Sequence, residues 1–282
     1  MLCFVVWGLT PAYWNLLLGV DPLLILCARI FFALVFMICL LWVTGRIQEF
    51  KDTIRDRTKM RYLVLSSFLI TLNWGLFIWA VNTGRIISAS LGYYLNPLTA
   101  FLLGVIIFRE KFTKLQLAAV GLAFSGVLVS VIAFGTFPFL SLTFTLSFAF
   151  YGVLKKKAGA DPNVGVAIES LLFTPPALVF AFVFMTDSVM ALSFTEVLLM
   201  IGAGIVTLVP LSLYSRAVNE IPYITVGFLH YISPSVSLIY GVATGARPTA
   251  PQIVTFIFII LALAVFSIAL VRLAKSKRQD TA

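Results

Sequence analysis

The chain has 282 residues, of which 61% are hydrophobic and 11% are charged, and its formal net charge is +9 at pH 7. Soluble domains carry about 25% charged residues, so this composition excludes an ordinary soluble protein. Apolar stretches recur along the whole chain, so we expect an uncleaved first span and no signal peptide.

Apolar runs of membrane-spanning length follow one another along the sequence. A spanning helix needs roughly 20 predominantly apolar residues, and turn-rich pieces such as 19–22 and 160–163 separate the runs. We therefore expect an all-α integral membrane protein with ten transmembrane helices in one bundle and no soluble domain. The predicted spans are 1–18, 23–44, 61–81, 86–108, 115–134, 138–154, 163–185, 194–215, 221–244 and 251–272.

The longest predicted loop follows the second span. Its residues Ile47, Phe50 and Ile54 recur at helical spacing, which favours a short helix lying at the lipid headgroups. The alternative is a solvated polar connector.

Basic residues indicate how the spans are oriented. With the N-terminus inside, all of the 20 Lys and Arg residues except Arg29, Arg85 and Arg247 lie on one face. Cytoplasmic loops carry an excess of such residues, so we expect both termini in the cytoplasm. The short loops offer no platform for reading or stacking bases, which excludes nucleic acid as a partner.

One phrase occurs twice in the chain. AVNTGRIISASLGYYLNP begins at Ala80, and AVNEIPYITVGFLHYISP begins at Ala217, 137 residues later. The first phrase joins the third and fourth spans and the second joins the eighth and ninth. We therefore expect two inverted five-helix repeats, 1–134 and 138–272, followed by a cytoplasmic basic tail, 273–282. Inverted repeats are typical of secondary transporters, in which the two halves enclose a midplane site.

Polar side chains inside the predicted spans are candidates for that site. Arg29 and Glu169 are each the seventh residue of a predicted span and occupy equivalent places in the two repeats. Three interpretations are open: the two residues pair with each other, they hold the two ends of a zwitterionic substrate, or they act only structurally. Asn73, Asn96 and His230 add amide and imidazole groups, which interhelical hydrogen bonds alone would also explain.

Aromatic residues accompany these polar groups. Trp7, Trp74, Tyr93, Tyr151 and Tyr231 lie within predicted spans, and we expect them to line a substrate cavity. Aromatic belts at the membrane interface are the alternative for aromatic residues near helix ends.

Prolines predict bends in the helices. Pro97 and Pro234 occupy equivalent places in the two copies of the repeated phrase. Because proline removes a helical hydrogen bond, a matched pair of bends is expected where alternating access needs flexible points.

The sequence predicts no cofactor and no enzymatic activity. His230 is the only histidine and has no second ligand at a suitable spacing, and the three cysteines show no CxxC motif, so no metal site is predicted. Glu169 is the only acid well inside a span, and no GxxxxGK[ST] motif occurs.

Five stretches of the chain carry a family resemblance: NWGLFIWAVN from Asn73, ASLGYYLNPL from Ala89, REKF from Arg109, SFAFYG from Ser147 and AGIVTLVPL from Ala203. They resemble the RarD proteins of the EamA branch of the drug/metabolite transporter superfamily. The resemblance covers nearly the whole chain. It implies ten helices in two inverted repeats, the bacterial inner membrane and a role in export.

The chain departs from that family pattern in two places. Relatives usually begin with a longer first helix that carries a basic N-terminal stretch, whereas only a few residues precede Trp7 here. Relatives also tend to carry an acid after the helix-ending glycine in both halves. Glu110 is present, but the counterpart region reads Gly245, Ala246, Arg247 and Pro248. We therefore expect Glu110 to organise its own loop.

Together these features predict a secondary transporter and exporter of an amino acid, aromatic metabolite or drug, working by alternating access around a central cavity. The alternative is a non-transporting membrane scaffold or regulator, with its interior packed shut. The expected partners are a small-molecule solute and the lipid bilayer. Proton coupling through Glu169 or His230 stands beside uniport or exchange, and a homo-oligomer is compatible with the sequence.

Overall fold

The computed structural model of the chain describes residues 1–83, 86–135 and 139–279, and these form helices joined by short connections. Arg85, part of the first repeated phrase and the end of the predicted tail lie outside the described residues. The helices are α1 Leu2–Trp14, α2 Pro22–Val43, α3 Ile47–Arg55, α4 Arg57–Asn82, α5 Ile86–Phe108, α6 Lys114–Phe134, α7 Phe139–Ala158, α8 Pro162–Phe184, α9 Thr186–Met190, α10 Phe194–Glu220, α11 Tyr223–Leu229, α12 Ile232–Ala243 and α13 Ala250–Gln279.

Seven described segments are long and apolar enough to cross a membrane. Leu2–Leu17 and Gly92–Phe108 are shorter apolar helices. The prediction of an all-α membrane protein is therefore confirmed, whereas ten spans in two inverted repeats stay a prediction. The seven segments are Pro22–Val43, Arg57–Ala80, Lys114–Ala133, Pro162–Phe184, Phe194–Glu220, Tyr223–Ala243 and Ala250–Lys275.

Two helices begin at the same local motif, an aspartate followed by a proline. The side chain of Asp21 accepts a hydrogen bond of 2.8 Å from the N–H of Leu23 at the start of α2. Asp161 does the same for the first turn of α8. Aspartate satisfies N–H groups that have no partner within the helix, and proline tolerates the first helical position.

The predicted helix in the longest loop is present as α3. Arg46, just before it, forms an ion pair of 2.6 Å with Asp161, the residue that caps α8. The hydrogen bond to Asp161 raises the pKa of the Arg46 guanidinium above its ordinary value. Arg46 therefore ties the start of α3 to the start of α8, while the position of α3 at the headgroups stays a prediction.

The ninth predicted span is divided into α11 and α12, with His230 and Tyr231 between them. Pro234 has no N–H to donate to the carbonyl of His230, and its ring would clash with that carbonyl in a continuous helix. The N–H of Ser233 donates to the His230 carbonyl instead, at 3.1 Å. The other predicted bend differs, since α5 continues through Pro97.

The chain forms two compact units, each built from segments of both predicted repeats. One unit contains residues 1–85 and 147–221, and the other contains 86–146 and 222–282. The packing units therefore do not follow chain order, and the repeat boundaries stay a prediction.

Each unit has its own apolar core. In the first unit, small residues such as Ala28 and Ala177 pack among larger aliphatic ones on α2 and α8. In the second, Phe228 of α11 stacks on Phe266 of α13 with ring centroids 4.0 Å apart.

Glycines allow close helix contacts within the units. A Cβ atom at Gly204 of α10 would lie 2.6 Å from Cβ of Phe32 and 2.9 Å from the backbone nitrogen of Ala33, both on α2. At Gly227 of α11 it would lie 2.6 Å from Cβ of Ala100 on α5. Small residues at such contacts allow transmembrane helices to approach closely.

Candidate functional site

A buried ion pair lies among apolar helices of the first unit. The Nζ atom of Lys155 on α7 is 3.2 Å from Oε2 of Glu169 on α8, and their side chains are 4% and 6% exposed. The hydroxyl of Ser66 on α4 donates to Oε1 of Glu169 at 2.5 Å. The hydroxyl of Tyr151 donates to Oε2 at 3.4 Å. Buried charged groups are costly unless they are paired and hydrogen-bonded, as these are.

A glycine makes room for the lysine. A Cβ atom at Gly165 of α8 would lie 2.7 Å from Nζ of Lys155. Gly165 and Glu169 are four residues apart and therefore share a face of α8. The ammonium group thus occupies a notch in α8, one turn before the carboxylate that it contacts.

Aromatic rings pack next to this ion pair. Tyr151 stacks on Tyr214 of α10, with ring centroids 6.0 Å apart and an angle of 13° between the planes. Trp7 and Phe148 lie 5.5 Å and 5.2 Å from the Tyr214 ring. The first unit therefore combines two opposite charges with an apolar aromatic wall.

A second polar contact joins α4 to α7. The amide of Asn73 on α4 donates to the hydroxyl of Ser147 on α7 at 2.9 Å. Ser147, Tyr151 and Lys155 follow at intervals of four residues and so line one face of α7.

Arg29 contacts aromatic rings. Its guanidinium carbon is 3.9 Å from the centre of the Trp74 ring and 5.5 Å from that of Trp14. Such contacts are favourable because the ring face carries negative charge. Sequence reasoning offered Arg29 as the ion-pair partner of Glu169, but the described partner is Lys155.

The remaining predicted site residues lie in the second unit. The amide nitrogen of Asn96 is 3.5 Å and 3.4 Å from Nδ1 and Nε2 of His230. The hydroxyl of Tyr231 donates to the carbonyl of Tyr94 at 3.1 Å, and the Tyr93 ring packs against another ring of this unit. The contacts of Asn96 and Tyr94 tie α5 to the break between α11 and α12. The Tyr93 contact joins α5 to Phe144 of α7.

Sequence reasoning missed Ser66, Lys155 and Tyr214. Lys155 was counted among the charges of a cytoplasmic loop because the predicted span ended at residue 154. In fact α7 continues to Ala158, which places the lysine inside a helix. The signal available was its spacing of four residues from Tyr151.

We expected Glu110 to organise its own loop, but it also contacts a distant segment of the chain. Its two oxygens accept hydrogen bonds of 2.6 Å and 2.8 Å from the N–H groups of Tyr223 and Ile224 in the first turn of α11. Arg109, just before it, adopts a left-handed conformation with φ of 52°. Gly104 allows the approach, because a Cβ atom there would lie 2.8 Å from the Ile224 side chain.

An apolar groove of about 230 Å³ opens on the first unit, between α2, α4 and α8. None of the ten predicted site residues lines it. The groove lining is Leu23, Leu26, Cys27, Ile30, Thr71, Phe173, Pro176, Ala177 and Phe180.

The described part of the chain contains no group of three or more His, Cys, Asp or Glu residues placed to hold a metal.

Comparison with known proteins identifies relatives of this chain. Residues 1–132 match the EamA-like transporter family. The chain is 38% identical to Protein RarD of Escherichia coli strain K12 over 267 residues, which covers 93% of this chain and 90% of that protein. It is 36% identical to the uncharacterized transporter YojE of Bacillus subtilis strain 168, covering 98% of this chain and 94% of that protein.

A solved crystal structure shares the fold. Its TM-score with this chain is 0.75 at 17% sequence identity, and the match covers 96% of each chain.

Proposed function

The chain belongs to the EamA-like transporter family, and on that premise we propose that it is a secondary transporter that exports a small organic solute. The expected solute is an amino acid, an aromatic metabolite or a drug. The observation that carries the proposal is the buried pair of Lys155 and Glu169 beside an aromatic wall. Ionisable groups within membrane helices are expensive and commonly mark a solute or ion pathway.

The positions of the helices support the proposed inverted repeat. Three pairs of helices begin 137 residues apart: α1 and α7, α4 and α10, and α5 and α11. The spacing equals that of the repeated phrase. We therefore propose ten spans in two inverted repeats, with alternating access around a central site.

We propose that the ten residues selected from the sequence contribute to that site, together with Lys155 and Ser66. They are Trp7, Arg29, Asn73, Trp74, Tyr93, Asn96, Tyr151, Glu169, His230 and Tyr231. The proposed location is the bacterial inner membrane, with both termini in the cytoplasm. The charge of the loops supports this orientation.

One observation favours the alternative of a scaffold. Tyr151 and Tyr231 are both 0% exposed, and a bundle that is permanently packed shut would bury them in every state. A transporter would bury them only in its closed state.

The test is uptake and efflux of radiolabelled amino acids, aromatic metabolites and drugs in proteoliposomes, with and without a pH gradient. Folded Glu169→Gln protein should lose or alter transport, and dependence on the pH gradient would add proton coupling. An Arg216→Met/Glu220→Gln variant is the control, because that ion pair is exposed. If the folded wild type moves no member of the panel, the scaffold reading is favoured.

A further inference from the structure

We propose that Lys155 and Glu169 form an exchangeable ion pair that selects zwitterionic solutes without net charge. The ammonium of Lys155 would take the solute's carboxylate, and the carboxylate of Glu169 would take its ammonium. This inference rests on the proposed transport function and specifies its substrate class.

The charge balance of the buried pair leads to this class. Both side chains are almost fully buried, and separating such a pair leaves two uncompensated charges in an apolar surrounding. A zwitterion supplies one charge of each sign, so both protein charges stay paired when it binds. A solute with net charge leaves one buried charge without a counter-charge.

The geometry around Glu169 suits an exchange of partners. Oε1 is held by Ser66 at 2.5 Å, whereas the contacts of Oε2 with Lys155 and Tyr151 are longer, at 3.2 Å and 3.4 Å. Hydrogen bonds between an ammonium and a carboxylate are typically about 2.7 to 2.9 Å. One oxygen therefore anchors the carboxylate, and the other makes the looser contacts that a solute ammonium can replace.

The surroundings of Lys155 suit the other half of the exchange. Its ammonium lies against Gly165, where a side chain would collide with it. Tyr151 and Tyr214 provide aromatic surface next to the charges, which favours a zwitterion with an apolar or aromatic side group.

Matched sets of radiolabelled solutes in proteoliposomes test the inference. Each set contains a zwitterionic amino acid, its N-acetyl derivative with a net negative charge, and its methyl ester with a protonated amine and a net positive charge. The panel includes phenylalanine, leucine and uncharged aromatic metabolites. Wild-type protein should move a zwitterion at least about ten-fold faster than either of its derivatives, because each derivative leaves a buried charge unpaired.

Variants should change this preference in opposite directions. Glu169→Gln leaves the positive charge of Lys155 and should shift the preference toward the N-acetyl derivative. Lys155→Met leaves the negative charge of Glu169 and should shift it toward the methyl ester. The double variant should lose the preference for the zwitterion, because no charge of the pair is left to match while the charge of Arg29 is the same in both proteins. If the pair only holds α7 to α8, the variants should change the stability of the protein and leave its charge selectivity unchanged.

The wild-type measurement and the double variant keep the test decisive if a single variant does not fold. Transport in which the charged derivatives or the uncharged solutes move as fast as the zwitterion would overturn the inference and leave the transport function standing. Absence of any wild-type transport would overturn both. The Arg216→Met/Glu220→Gln protein should keep the wild-type preference, and a change in that control would also count against the proposed pair.

Discussion

Glu110 accepts a hydrogen bond of 2.8 Å from the backbone N–H of Ile224, 114 residues further along the chain. The contact joins the end of α5 to the beginning of α11. The first N–H groups of a helix have no partner within the helix, and the helix dipole favours an anion at that end. Glu110 therefore acts as a cap supplied by a distant segment.

Replacing Glu110 by alanine should destabilise the second unit. We expect a loss of about 1 to 2 kcal/mol, because two N–H groups lose their acceptor and the helix dipole loses its anion. Thermal unfolding in detergent measures the loss, and hydrogen exchange at Tyr223 and Ile224 locates it. The melting temperature of Glu110→Gln protein should lie between those of the wild type and the Glu110→Ala protein, because the amide oxygen of glutamine still accepts a hydrogen bond. An unchanged melting temperature with unchanged exchange would show that the cap contributes nothing.

Two glycine substitutions should have opposite effects. Gly204→Ala places a Cβ atom 2.7 Å from the backbone carbonyl carbon of Phe32, so α2 and α10 must separate and stability should fall by about 1 to 3 kcal/mol. Gly121→Ala meets nothing within 4 Å and should stabilise its helix by up to about 1 kcal/mol. The melting temperatures of both variants check this, and equal shifts would contradict the packing described for Gly204.

Pro234→Ala should join α11 to α12. The new N–H can donate to the carbonyl of His230 in a continuous helix, and the clash of the proline ring is removed. If the break is a flexible point of the transport cycle, transport should slow while the melting temperature holds or rises. Proteoliposome flux beside Pro97→Ala, in a helix without a break, provides the comparison. Full transport by a stable Pro234→Ala protein would remove the break from the mechanism.

Arg29 and Trp74 should be energetically coupled. A double-mutant cycle with Arg29→Met and Trp74→Leu should give a coupling of about 0.5 to 2 kcal/mol in unfolding free energy, because the guanidinium lies over the indole face. The control is the same cycle with Trp42→Leu in place of Trp74→Leu, because Trp42 is 75% exposed. Equal coupling in both cycles would argue against a specific contact.

The sequence predicted the positions of the helices better than the contacts between their side chains. Hydropathy identifies apolar helices because each one must satisfy its own backbone groups in lipid, and the turn residues at Asp21 and Asp161 gave two helix starts closely. The break before Pro234 was expected only as a bend, since the sequence does not show whether a helix resumes beyond a proline.

The candidate site was predicted in part, for a different reason. Glu169 and Tyr151 were selected because polar and aromatic groups stand out in an apolar chain. Their contacts with Ser66 and Lys155 join three helices, and no local pattern encodes such contacts. The charge of Lys155 also suggested a loop, because lysines near span ends usually mark the cytoplasmic side.

The notch at Gly165 should make the side chains tolerated at two distant positions depend on each other. As long as position 155 carries a lysine, position 165 can accept no side chain without displacing the ammonium group. A descendant that replaced Lys155 by a shorter residue would be released from this restriction, and alanine at 165 would then become acceptable. We therefore expect the residue tolerated at position 165 to depend on the length of the side chain at position 155.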